Sequence, residues 1–234
     1  MIESKESNYR TIVFFIVVSL VIILAYIWVF EIVQSIETAS GGLVHRTLVL
    51  NAVLLVGTIL LVLMVYGGFQ AQDLGLLGRK LPLAFIACLL TWIFVQIMEG
   101  LAGFVGAGSM QFDPSWVTEA PALVGLLIGM LFGTALYEEA GFRGFLLVQF
   151  DMKMTGVTSN RYFRITLALL ISQALFTLVH IPWKVVNQGW TVSVVFDLIF
   201  SVFMNGLIYG ILYLRTENLF FVMGIHALGN APTS

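Results

Sequence analysis

Long apolar runs are the feature of this sequence that most restricts its fold. Seven runs are candidates to cross about 30 Å of hydrocarbon as helices. They lie at residues 12–30, 48–69, 83–104, 122–150, 163–181, 192–214 and 219–234. These runs lack the alternation of apolar and polar residues that is typical of the strands of membrane barrels. Because lipid offers no water to bind the backbone, we predict an all-α, polytopic transmembrane helix bundle of about seven spans.

The distribution of charge agrees with a membrane location and predicts an orientation. Only 10% of the residues are charged, whereas soluble domains carry about 25%. Eight basic residues lie in the amino-terminal tail and in every second loop, and two lie in the alternate loops. The eight are Lys5, Arg10, Arg79, Lys80, Lys153, Arg161, Arg164 and Arg215, and the two are Arg46 and Lys184. We therefore expect an integral, multi-pass protein of the cell membrane with a cytoplasmic amino terminus.

Other large-scale features of the sequence exclude some classes of protein. The net charge is −2 and no basic cluster is present, so nucleic acid is not an expected partner. No internal repeat of the transporter type and no long linker divides the chain. The prediction is a single membrane domain over residues 1–234.

The fourth apolar run carries a row of glycines. Gly125, Gly129 and Gly133 are four residues apart and share one helix face. Small residues at this spacing let helix backbones approach closely in lipid. The pattern predicts that this helix packs against protein rather than lipid.

The same run ends in an unusual charged segment, LYEEAGFRGF, at residues 136–145. Glu139 and Arg143 are four apart on a helix, with the acid first, which is the favourable order for an ion pair. Glu138 points about 100° away and has no such partner. Ionisable groups inside spans are costly and usually functional, so Glu138 is a candidate general base. The alternative is a structural ion pair beside a glutamate that reaches the interface.

Two histidines and an asparagine lie in later spans. His180 ends the segment FTLVH, and His226 and Asn230 begin and end HALGN. His226 and Asn230 share a helix face, and two convergent donors are what an oxyanion hole needs. Each histidine has the alternative role of a hydrogen-bonded packing residue.

A helical rise of about 1.5 Å per residue gives the depth of each side chain from the inner end of its span. Glu138 lies about 18 Å deep, Asn230 about 16 Å and His226 about 10 Å, so these three are expected to meet. His180 comes out at about 26 Å, which is too deep for contact unless its helix tilts or begins after residue 163. The charged half of the fourth span faces inward, which predicts a site near the cytoplasmic side.

Together, three motifs carry a resemblance to a known family. They are EExxxR at Glu138, Glu139 and Arg143, FxxxH at Phe176 and His180, and HxxxN at His226 and Asn230. In this order, each within an apolar span, they resemble the CAAX protease and bacteriocin-processing (CPBP, or Abi) family of intramembrane proteases. This family includes the Rce1-type prenyl-protein endopeptidases. The resemblance marks residues 121–234 as a catalytic core that follows amino-terminal spans at 1–120.

What the resemblance implies is a glutamate protease without a metal or another cofactor. By motif position, Glu138 would activate water together with His180. Glu139 and Arg143 would fix the geometry of the site, and His226 and Asn230 would stabilise the oxyanion. The substrate would be a membrane protein or a lipidated peptide in the bilayer, and a membrane-protein partner is compatible with this location. The family's last helix continues beyond HxxxN, whereas here Pro232 follows closely. We therefore expect either a truncated form of the sequence or a short last span, with Asn230 near a helix end.

Four other functions use the same residue types. A metalloenzyme would bind its ion through glutamate and histidine, but HExxH is missing and Arg143 would repel a cation. A serine protease would need an activated serine, for which Ser109 in a loop is the candidate. A non-catalytic membrane scaffold or regulator, and a proton-coupled transporter using the charged cluster as a relay, are the remaining alternatives.

Overall fold

The computed structural model describes residues 4–108 and 118–230, and this part of the chain is helical with no strand. Six helices are long and apolar enough to cross a membrane, and a shorter apolar helix follows them. In chain order they are α1 (Tyr9–Ala39), α2 (Arg46–Tyr66), α3 (Leu81–Ala107), α4 (Ala120–Gly156), α5 (Arg161–Gln188), α6 (Val192–Thr216) and α7 (Leu219–Asn230). The predicted all-α, polytopic bundle is confirmed.

The seventh helix is the one that differs in length from the others. α7 is described over 12 residues, whereas about 20 are needed to span the hydrocarbon core. The proline after it and Ser109, the serine protease candidate, both lie outside the described residues.

Local signals in the sequence fix where the helices begin and end. Asn8 caps α1 by accepting a hydrogen bond from the Thr11 amide, and Asn160 caps α5 by accepting one from the Phe163 amide. Both bonds satisfy a backbone donor that the first helical turn leaves free. Gly108 ends α3 with a φ of 72°, a conformation that glycine adopts without strain.

The row of glycines on α4 packs as the sequence predicts. The Cβ position of Gly129 lies 2.8 Å from the Thr47 hydroxyl, and that of Gly133 lies 3.3 Å from backbone atoms of α2. Gly125 faces the carbonyl oxygens of Gly42 and Leu43 in the loop between α1 and α2. The small residues thus bring α4 against α2 with almost no space between the backbones.

α4 is the central helix of the charged region. All nine residues of Glu139–Leu147 are buried, and here the helix widens to π-type hydrogen bonding. Such wide turns occur frequently at functional sites. α4 binds α5 through the Ser172 hydroxyl, which donates to the Phe142 carbonyl at 2.8 Å. The segment that carries Glu138, Glu139 and Arg143 is therefore enclosed by protein.

The glycine packing yields a stability prediction. In Gly125→Ala, the new methyl group would meet the Gly42 and Leu43 carbonyls, so we expect the thermal unfolding temperature in detergent to fall. Gly103→Ala on α3 is the control, because nothing lies within 4 Å of its Cβ position. Alanine is favoured over glycine by about 1 kcal/mol in a helix, so the control should keep or raise that temperature. An equal response of the two variants would contradict close packing at Gly125.

Candidate active site

Glu138 lies between two histidines that come from different helices. Its Oε1 is 3.6 Å from His180 Nε2 on α5, and its Oε2 is 3.6 Å from His226 Nε2 on α7. Both separations exceed a direct hydrogen bond. The carboxylate therefore faces two imidazole nitrogens with space for a small molecule beside each pair.

Glu139 points away from this space and is fully enclosed. Its exposed fraction is 0%. Its Oε1 lies 3.2 Å from Arg143 Nη1 and 2.7 Å from His226 Nδ1. The ion pair predicted from the spacing of Glu139 and Arg143 is confirmed. The contact with His226 was not predicted from the sequence, and it means that one imidazole ring joins the two neighbouring glutamates.

Arg143 ties three helices together. Its Nη2 donates to the Gly206 carbonyl on α6 at 3.0 Å and to Gln173 Oε1 on α5 at 3.2 Å. Gln173 Nε2 in turn donates to the Val202 carbonyl at 3.1 Å. The guanidinium also lies over the Phe176 ring, with Cζ 4.4 Å from the ring centre. These hydrogen bonds and the ring contact thus compensate for the hydration that the Arg143 guanidinium loses on burial.

Sequence reasoning missed Gln173, although a signal for it exists. Gln173 is a buried polar residue in an apolar span, and it precedes His180 by seven residues, which is about two helical turns. It therefore lies on the same face of α5 as His180, toward the charged segment of α4.

Backbone and ring contacts orient both histidines. His180 Nδ1 is 2.7 Å from the Phe176 carbonyl, and since a carbonyl only accepts, Nδ1 carries the proton. In the neutral ring, Nε2 then turns an acceptor lone pair toward Glu138. The two rings of the FxxxH motif are 4.6 Å apart. The ring of His226 stacks on Tyr209 at 4.6 Å with an angle of 20°, so Tyr209 is a second residue that the sequence analysis missed.

A cavity of about 250 Å³ gives Glu138, His180 and His226 access to the surroundings. Asn230 lines the same cavity one turn after His226 and is exposed. Lys184 and Asp197, which form an ion pair, line it at the ends of α5 and α6 that are nearest their connecting loop. The structure thus places Glu139 and Arg143 behind the cavity, and the other four predicted site residues on its wall.

The expectation that His180 lies too deep to reach the site is wrong. It followed from ending the fourth span at residue 150, whereas α4 continues to Gly156. Measured along the longer helix, Glu138 lies about 27 Å from the inner end, and His180 lies at a similar distance from Arg161 on α5. Glu138 is midway along α4, and the position of the site relative to the cytoplasmic side stays a prediction.

The buried ion pair yields a second stability prediction. Arg143→Gln leaves the Glu139 carboxylate buried without its cation, which typically costs about 3 to 5 kcal/mol. The control is Lys153→Gln, because Lys153 pairs with Glu6, whose side chain is 61% exposed. Exposed pairs contribute about 0.2 to 1 kcal/mol. Unfolding in mixed detergent micelles measures both changes, and a cost for Arg143→Gln as small as that of the control would contradict a structural role for this pair.

Comparison with known proteins covers the region that holds this site. A family model described as Type II CAAX prenyl endopeptidase Rce1-like matches residues 120–232. Searches of curated proteins and of solved structures return no match. The matched range contains all six predicted site residues, confirms the resemblance carried by the three motifs, and supports a CAAX-type intramembrane protease in general. Over residues 120–232, the chain therefore matches the Rce1-like family of type II CAAX prenyl endopeptidases.

Proposed function

We propose that the protein is a metal-independent, glutamate-type intramembrane endopeptidase that hydrolyses peptide bonds of prenylated or membrane-anchored polypeptides. The observation that carries this proposal is the position of Glu138, 3.6 Å from an imidazole nitrogen on each side and open to a cavity. The match of residues 120–232 to the family model supports the reaction class. The roles below are inferred from the geometry of the residues.

Glu138 and His180 have the geometry to bind and activate one water molecule. A water in the cavity beside this pair would donate one hydrogen to the carboxylate and the other to the unprotonated Nε2 of His180. Both of its hydrogens are then occupied, and an oxygen lone pair is free to attack the substrate carbonyl. As the new C–O bond forms, Glu138 takes a proton from the water. Glu138 then gives that proton to the leaving amine as the C–N bond breaks.

His226 and Asn230 have the chemistry to stabilise the oxyanion that forms. Nδ1 of His226 is directed at the Glu139 carboxylate, so it carries a proton. Nε2 can then donate to an oxyanion only when the ring is an imidazolium. The Glu139 carboxylate, 2.7 Å from Nδ1, holds the ring in this orientation. Glu139 would thus act through His226, and the Asn230 amide would supply the second donor.

The geometry gives less support to a metalloenzyme than to a glutamate protease. Among the residues that the structure describes, no group of three or more His, Cys, Asp or Glu side chains is arranged to hold a metal ion. Glu139 already binds Arg143, which would repel a cation. Metal independence stays a prediction, and a chelator tests it directly.

Replacement of the proposed base tests the central step. In Glu138→Gln, the carboxamide cannot accept a proton, so cleavage of a farnesylated peptide in liposomes should be abolished. Wild-type cleavage should continue in EDTA. Glu31→Gln is the control because Glu31 is an exposed glutamate on α1, and it should keep full activity.

Two other outcomes of this experiment would overturn the proposal. Loss of wild-type activity in EDTA, restored by zinc or iron, would favour the metalloenzyme. A folded wild-type protein that cleaves neither prenylated peptides nor a library of membrane proteins would favour the scaffold or transporter.

Replacement of the proposed oxyanion donors tests the second step. Loss of one such donor typically lowers kcat by about 10²- to 10³-fold, and we expect this for Asn230→Ala with little change in thermal stability, because Asn230 is exposed. His226→Ala should also lower stability, since it removes the partner of Glu139. Asn187→Ala, on an exposed amide of α5, serves as the control. An unchanged kcat in Asn230→Ala would remove this residue from the oxyanion hole.

A further inference from the structure

α6 carries a polar stripe along an otherwise apolar exposed surface. Asp197, Ser201, Asn205 and Tyr209 follow one another at intervals of four residues, and all four line the cavity that holds Glu138. Large apolar side chains such as Phe200 occupy the rest of the helix's exposed surface. Asp197 is paired with Lys184, and because polar groups inside a span are costly, the members of the row without a protein partner favour a polar occupant.

Asn205 is the member of the stripe that is best placed to bind such an occupant. Its side chain is exposed to the cavity, and within the described part of the chain its amide makes no hydrogen bond. The backbone beside it is held firmly, because the carbonyl of Gly206 accepts from Arg143 at 3.0 Å and that of Val202 accepts from Gln173. The charged network therefore holds the backbone on either side of Asn205, and the Asn205 amide faces the cavity.

The chemistry of an amide side chain matches that of a peptide backbone. Asparagine offers both a donor and an acceptor, as does each peptide unit of an extended substrate. A substrate backbone that leaves water needs such partners. The helix is of π type over Asp197–Met204 and of α type from Asn205 onward. In the α-helical part, Asn205 and Tyr209 are about 6 Å apart along the axis, and an extended chain repeats every two residues at about 6.6 Å. An extended polypeptide along α6 would thus meet these two polar groups at an interval of two residues.

We propose that the α6 stripe is the binding track for the substrate backbone and that Asn205 hydrogen-bonds a backbone peptide group of the bound polypeptide. The ion pair of Lys184 and Asp197 lies at one end of the track, and Tyr209, which stacks on His226, lies at the other. This arrangement leads an extended chain past Glu138. The inference rests on the proposed function, because it takes the occupant to be a peptide substrate.

The test removes hydrogen-bonding groups from both partners of the contact, the Asn205 side chain and the peptide backbone. Asn205→Leu keeps the approximate side-chain size and removes the amide, and Asn205→Ala is a second variant in case leucine disturbs folding. The probes are internally quenched farnesylated peptides in which single backbone amides are replaced by esters. We expect Asn205→Leu to raise KM about 3- to 10-fold, as for one lost hydrogen bond, with a smaller change in kcat. Asn187→Leu, outside the cavity, should leave KM unchanged.

The ester series separates a binding role from a merely structural one. In wild type, the ester at the peptide group bound by Asn205 should raise KM, and in both Asn205 variants this one sensitivity should disappear while sensitivity at other positions remains. An unchanged KM, or the same ester sensitivity in wild type and variants, would overturn the proposal.

A binding measurement keeps this inference distinct from the proposed function. The same peptides, carrying a fluorophore, are titrated against Glu138→Gln with and without Asn205→Leu, and anisotropy reports their affinity. Affinity that depends on Asn205, in a protein whose wild type cleaves nothing, would support the track and overturn the protease. Cleavage that depends on Glu138, together with an affinity that is the same with and without Asn205→Leu, would support the protease and overturn the track. Absence of both binding and cleavage would overturn the two together.

Discussion

The buried ion pair of Glu139 and Arg143 is the interaction on which the rest of the site depends. Neither group can be left alone in a helix surrounded by hydrocarbon, because an unpaired charge there has no water to solvate it. The pair is completed by partners on three other helices, namely Gln173 on α5, the Gly206 carbonyl on α6 and His226 on α7. The need to satisfy two charges thereby fixes the relative positions of four helices.

Two neighbouring glutamates have different surroundings because of helical geometry alone. Consecutive side chains point about 100° apart, so Glu139 faces protein while Glu138 faces the cavity. His226 contacts both carboxylates through its two nitrogens. The fixed inner carboxylate can therefore orient a ring that acts next to the outer one, and the proposed division between a positioning group and a base follows from this arrangement.

The cavity shows how a polar site is compatible with an apolar bundle. The glycine row on α4 packs it tightly against α2, while the other side of α4 faces polar groups from α5, α6 and α7. In the proposed protease, water and substrate would then enter from one side of the helix, while the opposite side stays close-packed. The orientation in the membrane, the substrate and the division into amino-terminal spans and catalytic core stay predictions.

By itself, the sequence determined the helical class, the close contact of the glycine row and the pairing of Glu139 with Arg143. Each of these follows from hydrophobicity or from i,i+4 spacing, which are local properties of one helix. Only the tertiary structure decided that His226 binds Glu139, that Gln173 and Tyr209 support the site, and that His180 reaches Glu138. These contacts join residues on different helices, and they depend on where each helix ends and how it packs, which no spacing within a single helix records.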